Sequence, residues 1–136
     1  MTTPLPTTAE RWEVDLRGRS VEMLTIDYRV TLHLQGDTGY DGSVILESPF
    51  RIGASGGDMT VLNPEEKATL TPVLECFGKT VAAVSVSRKD GALTLTFSDG
   101  TVVEAASDAQ YEAWEVNALG VKIVARPGGG EPALFT

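Results

Sequence analysis

The chain has one histidine, His33, and one cysteine, Cys76, in 136 residues. A single histidine excludes a two-histidine metal site. A single cysteine cannot close an intramolecular disulfide, so folding does not depend on oxidation, which fits a reducing cytoplasm. Basic residues are scarce: 11 against 19 acidic, a formal net charge of −8. Phosphate backbones repel such a chain, so no nucleic-acid partner is expected, whereas a basic protein would be attracted. No stretch approaches the roughly 20 apolar residues that cross a bilayer. The start, MTTPLPTTAERWEV, lacks the basic-then-apolar order of a secretory signal. A cytoplasmic protein without membrane association is therefore expected.

What is present is β pattern. Residues 78–116 hold two Asp-Gly pairs, Asp90-Gly91 and Asp99-Gly100, between apolar runs, and this spacing predicts a three-stranded meander. Leu93, Leu95 and Phe97 point one way and Thr94 and Thr96 the other, as in a half-buried strand. Residues 81–86 are small or apolar on both faces, as in a strand buried on both sides. A weaker copy lies in the first half. Gly18-Arg19-Ser20-Val21 resembles Gly78-Lys79-Thr80-Val81, residues 30–34 resemble 93–97, and Ser43-Val44-Ile45 resembles Thr101-Val102-Val103.

The copy places Asp27-Tyr28 where the second half has Asp90-Gly91. Tyrosine tolerates positive φ poorly, so residues 20–35 form either a hairpin bent near Asp27 or one continuous strand. In chain order, residues 1–10 read as a flexible tail and 11–17 as a strand. Residues 36–42 read as a loop, 43–52 as a strand with Pro49 at an edge or bulge, and 53–57 as a flexible link. A short strand comes next at 58–62. Asn63-Pro64-Glu65-Glu66 carries helix-start chemistry, and Pro72 limits this connector to one or two helical turns, closed at Gly78. Residues 111–116 read as a strand or a helical turn, 121–125 as a strand, and 133–135 as a closing strand.

The expected fold is mainly β, with at most a minor α+β character. It has two meander halves (residues 11–62 and 78–136) joined by a helical connector at 63–77, within one domain over 11–136. A barrel and a sandwich are both open.

Catalytic and metal chemistry is thin. His33, mid-strand between Leu32 and Leu34, reads as a solvated or hydrogen-bonded strand residue. Cys76 reads as a small buried hydrophobe. Asp37 and Asp41 before Gly42 lack the spacing of a calcium loop, since the third position is Gly39 and the twelfth Ser48. The glycines at 128–130 open no helix and read as a turn rather than a phosphate loop. No cofactor and no metal are expected.

The most distinctive cluster is Tyr111, Glu112, Trp114 and Glu115. Two readings are open. Either the aromatics anchor a basic partner among the acids, or they plug the core while the glutamates are solvated. Asp27 and Tyr28, at a bend, form a second cluster of the same kind.

Several segments together resemble a known family: IDYRVTL (residues 26–32), LESPFRI (46–52), GALTLTFSDGT (91–101), YEAWEV (111–116) and the late PGG (127–129). The chain is similar from Trp12 onward to small bacterial proteins, common in actinobacteria, that form a domain family of unknown function. The resemblance implies no activity, cofactor or site residue. By analogy with acidic proteins of similar size that act as immunity partners of bacterial toxins, the first expectation is a non-catalytic protein-binding module with an acidic and aromatic surface. The alternative is a small-ligand pocket between the two β halves, with Arg51, Arg126 or Tyr28 at its mouth. A carboxylate enzyme using Asp27, Glu47, Glu112 or Glu115 ranks third.

Overall fold

The computed structural model describes residues 10–118 and 120–136. The tail expected at residues 1–10 falls outside these apart from Glu10. The elements run β1 (Arg11–Val14), β2 (Ser20–Ile26), β3 (Val30–Gly36), β4 (Gly39–Leu46), β5 (Phe50–Ala54) and β6 (Met59–Leu62). A 3-10 helix (Lys67–Cys76) then leads to β7 (Val81–Ser87), β8 (Leu93–Phe97), β9 (Thr101–Ala105), β10 (Trp114–Ala118), β11 (Val121–Val124) and β12 (Ala133–Phe135). They build two six-stranded antiparallel sheets, ordered β1-β7-β8-β9-β5-β6 and β12-β11-β10-β4-β3-β2. Neither closes on itself. One buried cluster draws on both, from Trp12, Phe50, Leu95 and Phe97 of the first sheet to Leu32, Leu34, Trp114 and Ile123 of the second. The protein is a mainly β sandwich.

Each sheet is built on one meander, β7-β8-β9 inside the first and β2-β3-β4 at one end of the second with β2 as its edge strand, and each meander carries a guest from the other half. β5, which follows the first meander, pairs with β9 of the second, and β10, which follows the second meander, pairs with β4 of the first. The halves are thus interlocked by exchanged hairpins, β5-β6 and β10-β11.

The repeated segments also meet each other. Gly18 N–H donates to Val81 O (2.9 Å) and Gly78 N–H to Val21 O (2.7 Å). Val21 N–H donates to Lys79 O (3.0 Å), Val81 N–H to Arg19 O (2.8 Å), and Ser20 bridges Thr80. Every bond in this seam has its counterpart 60 residues away. Its side chains repeat too: Arg19 pairs with Asp41 (2.9 Å), and Lys79 with Asp99. Partly exposed ion pairs of this kind contribute at most about 1 kcal/mol each, so packing and the backbone seam carry the symmetry.

Residues 20–35 are a hairpin. Ile26 pairs with Val30, and Asp27 Oδ1 accepts the Arg29 N–H at 2.9 Å. The same device operates in the second half, where Asp90 Oδ1 takes the Ala92 N–H (3.0 Å) and Asp99 Oδ1 the Thr101 N–H (2.9 Å). The carboxylate, more than the glycine beside it, is the shared turn-maker. Glycine is still required at Gly91, where φ is +78° and an added Cβ would lie 2.9 Å from Gly130 O.

Several expectations are corrected. β7 is not buried on both faces. A bulge between Val81 and Ala83 resets the alternation, so Val81, Val84 and Val86 all point inward while Ala83 is exposed. β2 carries its bulge at the equivalent place, between Val21 and Met23. Residues 43–52 are not one strand. The chain leaves β4 at Leu46, passes Pro49 and enters the other sheet as β5, which lies between β9 and β6 rather than at an edge. Pro49 therefore marks a change of sheet, where its missing N–H breaks no ladder.

Residues 36–42 are not a loop: only Asp37 and Thr38 turn, and Gly39 already starts β4. The supposed link at 53–57 is not a link: Gly53 and Ala54 end β5, and the residues from Ser55 onward turn the β5-β6 hairpin. Asn63 starts a turn rather than the helix. Its Oδ1 accepts the Glu65 N–H (3.0 Å), its carbonyl accepts the Glu66 N–H (2.9 Å), and the helix begins only at Lys67. That helix contains Pro72 and buries Leu70, Val73 and Cys76 against the core.

Burial pushes the Cys76 thiol up to about 11, with Lys79, Asp99 and Glu75 as the charged groups acting on it. His33 is not among them, and burial outweighs the one lowering influence, Lys79, so the thiol is not activated. We expect Cys76 to resist a disulfide reagent at pH 8 in the folded protein and to react fully once urea has unfolded it, as monitored by thionitrobenzoate release. Fast labelling of the native protein would contradict this burial.

Candidate functional site

The side chains at the tips and crossings of this sandwich converge on one groove of about 350 Å³, lined by Tyr28, Glu47, Glu65, Tyr111 and Glu112. These residues come from far apart in the chain, and backbone chemistry brings each into place. Tyr28 sits at the tip of the β2-β3 hairpin, beside the Asp27 turn. Lys67 donates through Nζ to both Asp27 O and Pro64 O, clamping that tip to the start of the connector and so to Glu65. Glu47 lies on the crossing from β4 to β5. Its N–H (2.9 Å) and that of Ser48 (3.3 Å) both donate to Ala113 O, which ties this crossing to the one that carries Glu112 into β10. Asp108 Oδ2 accepts the N–H groups of Gln110 (2.8 Å) and Tyr111 (3.1 Å), fixing the loop that presents Tyr111.

The two rings are open to solvent: Tyr28 is 68% exposed and Tyr111 66%. A guanidinium already rests on one of them, with Arg29 Cζ 5.3 Å from the Tyr28 ring centroid. Arg29 also faces Glu47 (3.8 Å) and Asp27 (3.9 Å). Burial raises the Glu47 carboxyl above its ordinary value. Arg29 opposes that shift, while Glu115, Glu112 and Asp27 reinforce it. Around Glu47, three carboxylates thus stand against one guanidinium. Such an arrangement can hold a cation against an aromatic face and share it among carboxylates.

The two clusters singled out in the sequence thus meet in part. Tyr28, Tyr111 and Glu112 line the groove, and Asp27 supports Tyr28 from behind through the turn. Trp114 does not belong there. It is fully buried, and its indole N–H donates to Gly91 O at 2.9 Å, so between anchor and core plug it is the core plug. Glu115, on β10, is occupied by Asn117 (2.8 Å) and Lys122 (3.6 Å) and reaches the groove only as nearby charge. The expected strand at 111–116 starts at Trp114, which leaves Tyr111 and Glu112 in the loop before it.

Glu47 and Glu65 lie outside the two clusters that stand out as binding candidates in the sequence. A shared carboxylate–aromatic alternation marks residues 111–115, whereas Glu47 and Glu65 reach the groove through the sheet crossing and the Lys67 clamp. Away from the groove, Arg51 pairs with Glu104 (2.9 Å) across β5 and β9. His33 is bonded to Thr25 Oγ1 (2.8 Å) and meets the Tyr40 ring edge-on, a hydrogen-bonded strand histidine as expected. Among the described residues, no group of three or more His, Cys, Asp or Glu side chains is placed to hold a metal ion. No helix among them is long and apolar enough to cross a membrane.

Residues 12–133 match the model of a family of unknown function, DUF6188. The chain belongs to that family. No curated protein and no solved structure matches it. The DUF6188 match spans both exchanged hairpins and every residue of the groove, so the whole arrangement lies inside the family's domain.

Glu47 gives the groove a pH signature. Its folded-state carboxyl is raised above 4.5, so its contribution to stability is full below that value and is lost as pH rises through the folded-state value. Glu47→Gln cannot titrate. We therefore expect its melting temperature to match wild type near pH 4 and to gain on wild type by pH 7. A variant that falls further behind as pH rises would mean that Arg29 outweighs burial.

Proposed function

We propose that this protein is a non-catalytic binding module of the bacterial cytoplasm that receives a basic protein partner at the Tyr28–Tyr111 groove. The observation that carries the reading is the gathering of two exposed tyrosines and three glutamates in one place, Tyr28 and Tyr111 with Glu47, Glu65 and Glu112. Large solvated aromatics leave apolar area in water, whereas aromatic anchors dominate the energetics of protein interfaces. The net charge of −8 steers a basic partner toward such a surface. An immunity-like role, in which an acidic protein occupies a basic toxin, is one form this activity takes.

A second reading shares the same place. The groove lies between residues of both β halves, and its volume of about 350 Å³ falls within the size range of small-ligand sites, roughly 300–1,000 Å³. Openness favours the protein partner, because both rings are about two-thirds exposed.

The test is crosslinked capture from the source cells with wild type, with Tyr28→Ala/Tyr111→Ala, and with Trp114→Phe. We expect wild type to capture a basic protein and the double tyrosine variant to lose it. Trp114→Phe should retain it while losing about 1–3 kcal/mol of stability to urea, because the buried Gly91 carbonyl is left without its donor. Equal capture by the double tyrosine variant would remove the groove from the interaction. No capture, together with a raised melting temperature in a small-molecule panel, would favour the second reading.

A further inference from the structure

This inference rests on the reading of the groove as the contact surface and names what enters it. We infer that the groove is built for the primary ammonium of a lysine side chain on the partner, held by carboxylates from three directions with its methylenes along the tyrosine rings. Glu47 arrives from the sheet crossing, Glu65 from the start of the connector and Glu112 from the loop before β10. A tetrahedral ammonium has three donors and a flexible stem, and it can distribute them among carboxylates on separate walls. A guanidinium donates in one plane and prefers a single carboxylate side-on.

The guanidinium-type position here is already filled by the protein's own Arg29, stacked on Tyr28 and facing both Glu47 and Asp27. Arg29 stands 3.8 Å from Glu47 and leaves Tyr28 68% exposed, so both still face the groove, while for Tyr111, Glu65 and Glu112 no ion pair to a cationic side chain is found among the described residues. Lys67, the nearest ammonium by sequence to Glu65, donates to the carbonyls of Asp27 and Pro64 and forms no ion pair with Glu65. A trimethylated lysine would keep the charge and lose all three donors, so it should bind less well.

The experiment titrates the ¹⁵N-labelled protein with three peptides of equal length and charge, (Gly-Lys)4, (Gly-Arg)4 and the trimethyllysine form of the first, at low and at physiological salt. Backbone amide shifts are read at Tyr28, Glu47, Glu65, Tyr111 and Glu112. We expect the lysine peptide to shift these residues and to bind at least about five-fold more tightly than either other peptide. Charge-preserving Tyr28→Leu/Tyr111→Leu should weaken it about ten-fold, the loss expected for cation–aromatic contact at two partly exposed rings.

Equal or tighter binding of the arginine or trimethyllysine peptide would overturn the lysine assignment and leave the basic-partner reading standing. Lysine binding that the leucine variant does not weaken would reduce the contact to bulk charge attraction and overturn it too. If no peptide shifts the groove, the lysine assignment fails, and the capture experiment then decides separately whether a partner uses that surface.

Discussion

The structure depends on the seam where Gly18–Val21 and Gly78–Val81 bond to each other. Four backbone hydrogen bonds and one bridge lock the beginnings of the two meanders together in antiparallel register, with each half supplying the same groups. From that fixed point the two halves run outward in matching courses. Each carries its bulge at the first strand, its Asp-based turn at the first hairpin, and its cation–carboxylate pair near the start of the third strand. Because the next hairpin of each half crosses to the opposite sheet, neither half can bury its apolar face without the other. The halves stand to each other as two subunits of an interlocked dimer would, within a single chain.

The interlocking also explains where the groove lies. A crossing between sheets needs a segment that has left one ladder and not yet joined the next, and two such segments pass each other where Glu47 and Ser48 bond to Ala113 O. Backbone is held there without being part of a strand, and side chains are free to face solvent. The hairpin tip with Tyr28 and the start of the connector with Glu65 reach the same place because Lys67 bridges them. The groove is a by-product of the crossing that the chain has furnished with aromatic and acidic side chains. Its chemistry comes from which residues occupy loop positions, and its shape from the topology.

Much of the fold was legible in the residues. The meander of β7, β8 and β9 comes from alternation and Asp-Gly spacing, and the internal repeat was visible in short matches that the seam turns into physical contacts. Local pattern misleads where it is ambiguous. Residues 81–86 look apolar on both faces only if alternation is unbroken, and a bulge is silent in composition. Residues 43–52 look like one strand because apolar residues flank Pro49 on both sides, and sequence does not say that they face two different sheets. Asn63 carries a helix-start signature that serves a turn instead, since the same side-chain bond satisfies either.

The site was half legible. Tyr28, Tyr111, Glu112 and Trp114 stood out as interleaved aromatics and acids, with anchor and core plug both open for Tyr111 and Trp114; Tyr111 is exposed and Trp114 belongs to the core. What separates Tyr111 from Trp114 is a short step along the chain, from a loop to the first residue of a strand whose indole N–H reaches Gly91 O. Sequence by itself determined the second meander, its Asp-based turns, the repeat and the acidity, because those depend on side-chain type and on spacing within a few residues. Only tertiary structure decided the exchange of hairpins, the burial of Trp114 and the meeting of Tyr28 with Tyr111. Those depend on contacts between residues far apart along the chain, which no local pattern encodes.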